Sequence, residues 1–157
     1  MTQPSTPRPS AARNAQSLDF APVVLIADDD RVMRELCCES LADEPVRVLT
    51  AVNGREALAL AEACIPDLVV TDVSMPQLDG FGLVRALRRL YPDVPVIFIT
   101  GDKYHGDRPV EEVAAEHGAV ATFLKPFDLS LLQDAVRRAV PFMSPPLGAS
   151  IDDGRAA

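Results

Sequence analysis

Residues 67–80 read Asp-Leu-Val-Val-Thr-Asp-Val-Ser-Met-Pro-Gln-Leu-Asp-Gly. The apolar run Leu68-Val69-Val70 ends on the polar pair Thr71-Asp72, and a turn signal follows at Pro76 and Asp79-Gly80. A run that is apolar at successive positions, rather than at every second one, is the pattern of a parallel strand buried on both faces. Closing it on an aspartate lifts one carboxylate to the C-terminal edge of a sheet, where open α/β folds place their chemistry. The functional question is what Asp72 meets there.

The same grammar repeats on both sides of this stretch. Val23-Val24-Leu25-Ile26-Ala27 reads as a first strand ending on Asp28-Asp29-Asp30. Residues 31–42 put Met33, Leu36, Cys37, Ser40 and Leu41 on one helical face, and Pro45 breaks that pattern. A second strand is expected over 46–52, then an Asn53-Gly54 turn and a helix over 55–63. The third strand, 68–71, leads to a helix over 81–90 with Leu83, Val84, Leu87 and Leu90 inward. A fourth strand, 94–100, opens into a polar loop, 101–106; a short helix over about 109–117 closes on Gly118 as its C-terminal glycine. A fifth strand, 121–124, ends on Lys125-Pro126, and Asp128 can cap a last helix over 129–140. Five strands alternating with five helices predict an α/β fold, a doubly wound five-stranded parallel sheet with helices on both faces. The flavodoxin-like strand order 2-1-3-4-5 is the leading topology.

Three prolines, three serines and two arginines within residues 1–20 predict a disordered N-terminal tail, and 141–157 a second flexible tail, around one domain at 21–140. The net charge is −8, split as +1 over 1–20, −8 over 21–140 and −1 over 141–157. An acidic core disfavours nucleic acid and favours a cation. There is no apolar run of membrane-spanning length and no signal-peptide core, so a cytoplasmic protein is expected. Cys37, Cys38 and Cys64 have no metal spacing and read as reduced thiols.

The strand ends share one edge. The first offers Asp28 and Asp29, the third Asp72, the fourth Thr100 followed by Gly101, and the fifth Lys125. Three carboxylates in one pocket repel, so the site wants a cation, and neutralising Asp28 or Asp29 is expected to stabilise the metal-free fold. Oxygen-only ligands at partial coordination suit Mg²⁺. Lys125 and the Thr100 hydroxyl can hold phosphoryl oxygens, and Gly101 lets the backbone come close. Phosphoryl transfer needs little beyond such positioning and neutralisation, with Asp72 as nucleophile.

These residues resemble the receiver domain of two-component response regulators. The matching segments are Val-Leu-Ile-Ala-Asp-Asp-Asp at 24–30, Asp-Val-Ser-Met-Pro-Gln-Leu-Asp-Gly at 72–80, Ile-Thr-Gly at 99–101 and Phe-Leu-Lys-Pro-Phe at 123–127. The resemblance implies that Asp72 accepts a phosphoryl group from a phosphohistidine of a sensor histidine kinase or histidine phosphotransfer protein. It implies Mg²⁺ bound by Asp29, Asp72 and the Ser74 carbonyl, with Asp28 helping through water. It further implies phosphoryl contacts from Thr100 and Lys125, and a cis Lys125–Pro126 bond. Ser74 and Asp102 stand where the family tunes attack by water on the acyl phosphate. The family's switch position, usually aromatic, is Thr122, which has no ring to swing. Output is then smaller or runs through neighbours such as the 101–109 loop, which looks longer than the family norm.

A stand-alone, single-domain regulator is expected, acting through an unknown downstream protein or as a phosphorelay, because 141–157 has no basic cluster for DNA. A homodimer through the last two helices and the last strand is a further option. His105 reads as a solvated loop histidine and Met75 as a packing residue. Two rivals stay open. Asp28-Asp29-Asp30 resembles the Asp-x-Asp nucleophile motif of haloacid-dehalogenase phosphatases, which act on small molecules through an aspartyl phosphate, although no acidic pair follows Lys125 on another strand. The other rival is a receiver-fold interaction module that is never phosphorylated.

Overall fold

Strand β3, Leu68–Asp72, is buried along its whole length and lies at the centre of the sheet. The computed structural model describes residues 21–140; both expected tails lie outside them. Around β3 stand β1 (Val23–Ala27), β2 (Arg47–Ala51), β4 (Val96–Thr100) and β7 (Ala119–Leu124), all parallel, in the order β2-β1-β3-β4-β7. This is the expected doubly wound topology. Five helices are present among the described residues: α1 (Arg31–Ser40), α2 (Gly54–Ala63), α3 (Gly80–Leu90), α4 (Val110–Glu116) and α5 (Leu129–Ala139).

Alternation along the strands divides the core in two. Leu25, Val69, Val96 and Phe98 face α2, α3 and α4, whereas Val24, Ile26, Val70, Ile97 and Ile99 face α1 and α5. Helix starts follow short polar side chains that accept from exposed backbone N–H groups: Asp30 for α1, Asn53 for α2, Asp79 for α3 and Asp128 for α5. Gly118 ends α4 at φ +78°, as its place in the sequence predicts.

Several expectations need correction. The loop after β4 contains a two-stranded antiparallel hairpin, β5 (Tyr104–His105) with β6 (Arg108–Pro109), turning at Gly106. Two residues per strand are too few to show periodicity. Strand β7 begins at Ala119 rather than 121, because Val96 pairs with Ala119 across a register shift. Leu36 and Leu90 are exposed instead of inward, since each sits at the rim of its helical stripe. Arg137 of the last helix bonds Glu44 through Nε at 3.0 Å and ties α5 to the segment after α1.

One close approach positions the site. A Cβ on Gly80 would stand 2.1 Å from the Asp72 carbonyl oxygen, so only glycine lets α3 start directly behind the end of β3. A Cβ on Gly101 would meet no atom within 4 Å, so the fold itself does not require glycine there. Gly80→Ala is therefore expected to cost about 3 kcal/mol, and Gly101→Ala less than about 0.5 kcal/mol, as read from urea unfolding midpoints.

Candidate phosphoacceptor site

The C-terminal edge of the sheet gathers the strand-end residues. Asp28 follows β1, Asp72 ends β3, Thr100 ends β4, and Lys125 follows β7. The Lys125 ammonium donates to Asp28 Oδ2 at 2.8 Å and to Asp72 Oδ2 at 3.1 Å. Asp28 is fully buried and accepts a second bond on Oδ1, from the Asp30 N–H at 2.9 Å. The exposed carboxylate of Asp29 completes a cluster in which one oxygen each of Asp28, Asp29 and Asp72 lies within 4.8 Å of the others. An all-oxygen donor set of excess negative charge fits a hard divalent cation such as Mg²⁺, and Asp28, Asp29 and Asp72 are the side chains that would hold it.

The front of the site is built by two loops. Ser74 N–H approaches Asp72 Oδ1 at 3.4 Å, and the Ser74 hydroxyl donates to Asp102 Oδ2 at 2.5 Å, joining the segments that leave β3 and β4. Thr100 is fully buried, and its Oγ1 accepts from the Asp102 N–H at 3.0 Å. Gly101 is exposed beside it, Thr122 is half-buried on β7, and the Lys125–Pro126 bond is cis. Met75 is buried in the core, as a packing residue should be. His105 is exposed, as expected of a loop histidine, and its ring also meets Phe81 in a T-shaped contact with centroids 4.8 Å apart. Arg34, one turn into α1, donates to the Asp28 carbonyl at 2.8 Å, a contact with no signal in the local sequence. The Asp-x-Asp reading fares poorly: Asp30 caps α1 by accepting from Val32 and Met33, which leaves it outside the acidic cluster.

With the geometry in place, the comparisons are direct. A family model described as the response regulator receiver domain matches residues 24–137. The chain belongs to that family. It is similar to sporulation initiation phosphotransferase F of Bacillus subtilis, at 31% identity over 77% of this chain and 95% of that protein. It is also similar to the C4-dicarboxylate transport transcriptional regulatory protein DctD of Rhizobium meliloti, at 37% identity over 78% of this chain. The chain spans only 26% of that regulator's length. Among solved structures, Vibrio cholerae chemotaxis protein CheY4 superposes with a TM-score of 0.67 at 30% identity, covering 76% of this chain and 98% of that one. The receiver domain is thus a two-component signalling module, and no helix among its described residues is long and apolar enough to cross a membrane.

The electrostatics of the receiver's edge follow from burial. Burial first, then the charge of Asp28, pushes the Asp72 carboxyl up to about 6; the Lys125 ammonium and the Val73 N–H oppose this without cancelling it. Burial works against the Lys125 ammonium, but its bond to Asp28 and the charges of Asp72 and Asp28 outweigh that and hold it above the usual lysine range. The Cys37 thiol, behind the site, is pushed up to about 12, chiefly by burial, and is therefore unreactive at neutral pH.

The raised Asp72 value sets a pH dependence. The folded, metal-free protein holds this proton more tightly than the unfolded chain does. The resulting stability is complete below about pH 4 and is lost as pH rises through about 6. In EDTA, Asp72→Asn is expected to stabilise the fold above that window by on the order of 1–3 kcal/mol and to flatten the slope, measured as urea midpoints against pH. The gain expected from neutralising Asp28 is opposed by loss of the closer of the two partners of Lys125.

Proposed function

We propose that this receiver domain accepts a phosphoryl group on Asp72 from a phosphohistidine of a sensor kinase or phosphotransfer protein, with Mg²⁺ held by Asp28, Asp29, Asp72 and the Ser74 carbonyl. The observation that carries this reading is the single ammonium of Lys125 shared between Asp28 and Asp72, beside a third carboxylate. When bound, the cation supplies charge neutralisation between the acidic cluster and the incoming phosphoryl oxygens.

An Asp72 carboxylate oxygen attacks phosphorus in line with the P–N bond. The P–O bond forms as the P–N bond breaks, and the electron pair stays on the imidazole, which is protonated on its other nitrogen and departs neutral. Lys125 turns an N–H from the carboxylates to a phosphoryl oxygen, the Thr100 hydroxyl donates to another, and the bare backbone at Gly101 leaves room for the group. Loss of the signal is attack by water on the same phosphorus, which returns the Asp72 carboxylate and inorganic phosphate. Ser74 and Asp102 flank that approach and set its rate.

We read residues 21–140 as the receiver domain and the protein as cytoplasmic. A relative named a phosphotransferase, matched over 95% of its own length, supports the relay form of this reading. Output runs through contact with a downstream protein or a second copy on the face of α4, β7 and α5, where Val120 and Leu131 are exposed. Thr122, lacking a ring, contributes little to that change.

The test is intact mass after incubation with acetyl phosphate and Mg²⁺. The parent gains one phosphoryl group; Asp72→Asn gains none, and EDTA abolishes the gain. Lys125→Ala should slow uptake roughly a hundredfold, the scale expected for removing one charge-stabilising donor. Undiminished uptake in Asp72→Asn rejects the site. Turnover of a small phosphomonoester that survives Asp72→Asn and is lost in Asp28→Asn would favour the phosphatase reading.

A further inference from the structure

The charge of the domain reverses in one place. Residues 21–140 carry −8, yet Arg85, Arg88 and Arg89 stand together near the end of α3. With Glu116, His117 and Gly118 at the end of α4 they line a groove of about 560 Å³. Helix α3 starts behind Asp72, so the groove lies toward the other end of that helix from the carboxylate cluster. We propose that this α3–α4 groove binds a compact polyphosphate, free or as a nucleoside di- or triphosphate, with Arg85 and Arg89 on its phosphate chain. The proposal stands apart from the phosphoacceptor reading.

The two walls are joined without a ligand. Arg88 is half-buried, and its guanidinium donates to backbone on both sides: Nη1 to the carbonyls of Pro92, at 3.3 Å, and Val94, and Nη2 to that of His117 at 3.5 Å. Gly118 lies at φ +78°, and a Cβ there would stand 3.1 Å from Arg88 Nη2. The ring of His117 is held as well. It stacks on Phe81 with centroids 4.6 Å apart. Arginine can only donate, so His117 Nε2 accepts from Arg85 Nη1 at 3.3 Å, and Nδ1 donates to the Val113 carbonyl at 2.8 Å. A groove set in this way loses little freedom when a ligand enters.

Its charge is not neutralised from within. Arg85 and Arg89 are exposed, and among the described residues no carboxylate pairs with Arg85, Arg88 or Arg89, whereas Arg31, Arg108 and Arg137 each have one. Glu116 is the acid of the lining, and Arg108 takes it: Nη1 donates to Oε2 at 3.0 Å and Nη2 to Oε1. Guanidinium forks match phosphate oxygens bidentately. Arg85 and Arg89 are four residues apart, so their side chains are neighbours on one helix face and can meet a single phosphate chain. Size then selects among anions. An RNA strand or an acidic peptide would extend from the groove over a surface of net −8 and be repelled; an anion that keeps its charge within 560 Å³ would not.

The test is calorimetric titration in EDTA, which keeps divalent ions off the acidic cluster, with inorganic pyrophosphate and GTP as probes. The parent should bind at one site, with amide shifts centred on residues 84–89 and 116–118. Arg85→Gln combined with Arg89→Gln should weaken binding about a hundredfold, the scale of two lost charge-assisted bonds. Arg89→Lys, which keeps the charge and loses the fork, should weaken it roughly three- to tenfold. Arg138→Gln, an exposed arginine of α5, removes the same charge elsewhere and should change binding less than about twofold. Unfolding midpoints in urea should match the parent for all of these, since the side chains replaced are exposed. Tighter binding of GTP than of pyrophosphate supports a nucleotide as the source, and equal binding supports the phosphate chain alone. The proposal is overturned if neither probe binds, if Arg138→Gln costs as much as the double variant, or if an octa-aspartate peptide or a short RNA binds more tightly than both probes.

Discussion

One ammonium between two carboxylates organises the whole C-terminal edge. Asp28 is fully buried and Asp72 nearly so, and neither could remain charged there without a partner. Lys125 reaches both, from a strand two places away from β3 in the sheet. The strand order is what makes the reach possible, since β1 and β3 are neighbours and β4 fills the gap to β7. The compensation is incomplete, because three carboxylates face one lysine. The excess negative charge, with only oxygen donors around it, fits a hard divalent cation.

The edge is stiff behind and soft in front. Behind Asp72, the close contact of Gly80 with its carbonyl and the Gly80 N–H bond to the Val73 carbonyl at 2.7 Å lock the start of α3 to the end of β3. In front, the chain beyond Thr100 is exposed and is held by the Ser74–Asp102 bond, the His105–Phe81 contact and the bond from Arg108 to Glu116.

Much of this was legible in the residues. Strands β1, β3 and β4 are buried on both faces, so they appear as continuous apolar runs that end abruptly in polar residues. The start of the last helix was equally plain at Asp128, because a short polar side chain at a helix start has a local task that leaves a local trace; Asn53, read as a turn, in fact caps α2. The edge strand β7 was read short: Ala119 and Val120 lie where the sheet is open to solvent, and neither periodicity nor apolar length marks them. Leu36 and Leu90 show the converse, as a leucine at the margin of a helical stripe looks inward in a pattern yet is exposed in the fold.

The strands and the acids, threonine and lysine at their ends were written in the chain, because each is a matter of neighbouring residues. The strand order followed from the alternation of strands and helices with short right-handed crossovers. Folding alone decided which of those groups touch. Lys125 and Asp28 are 97 residues apart, Ser74 and Asp102 28 apart, and no spacing rule joins either pair. Nor did any pattern show that the exposed His105 also meets the ring of Phe81. Such contacts depend on the separation of strands and loops in space, which arises only when the sheet has closed around its core.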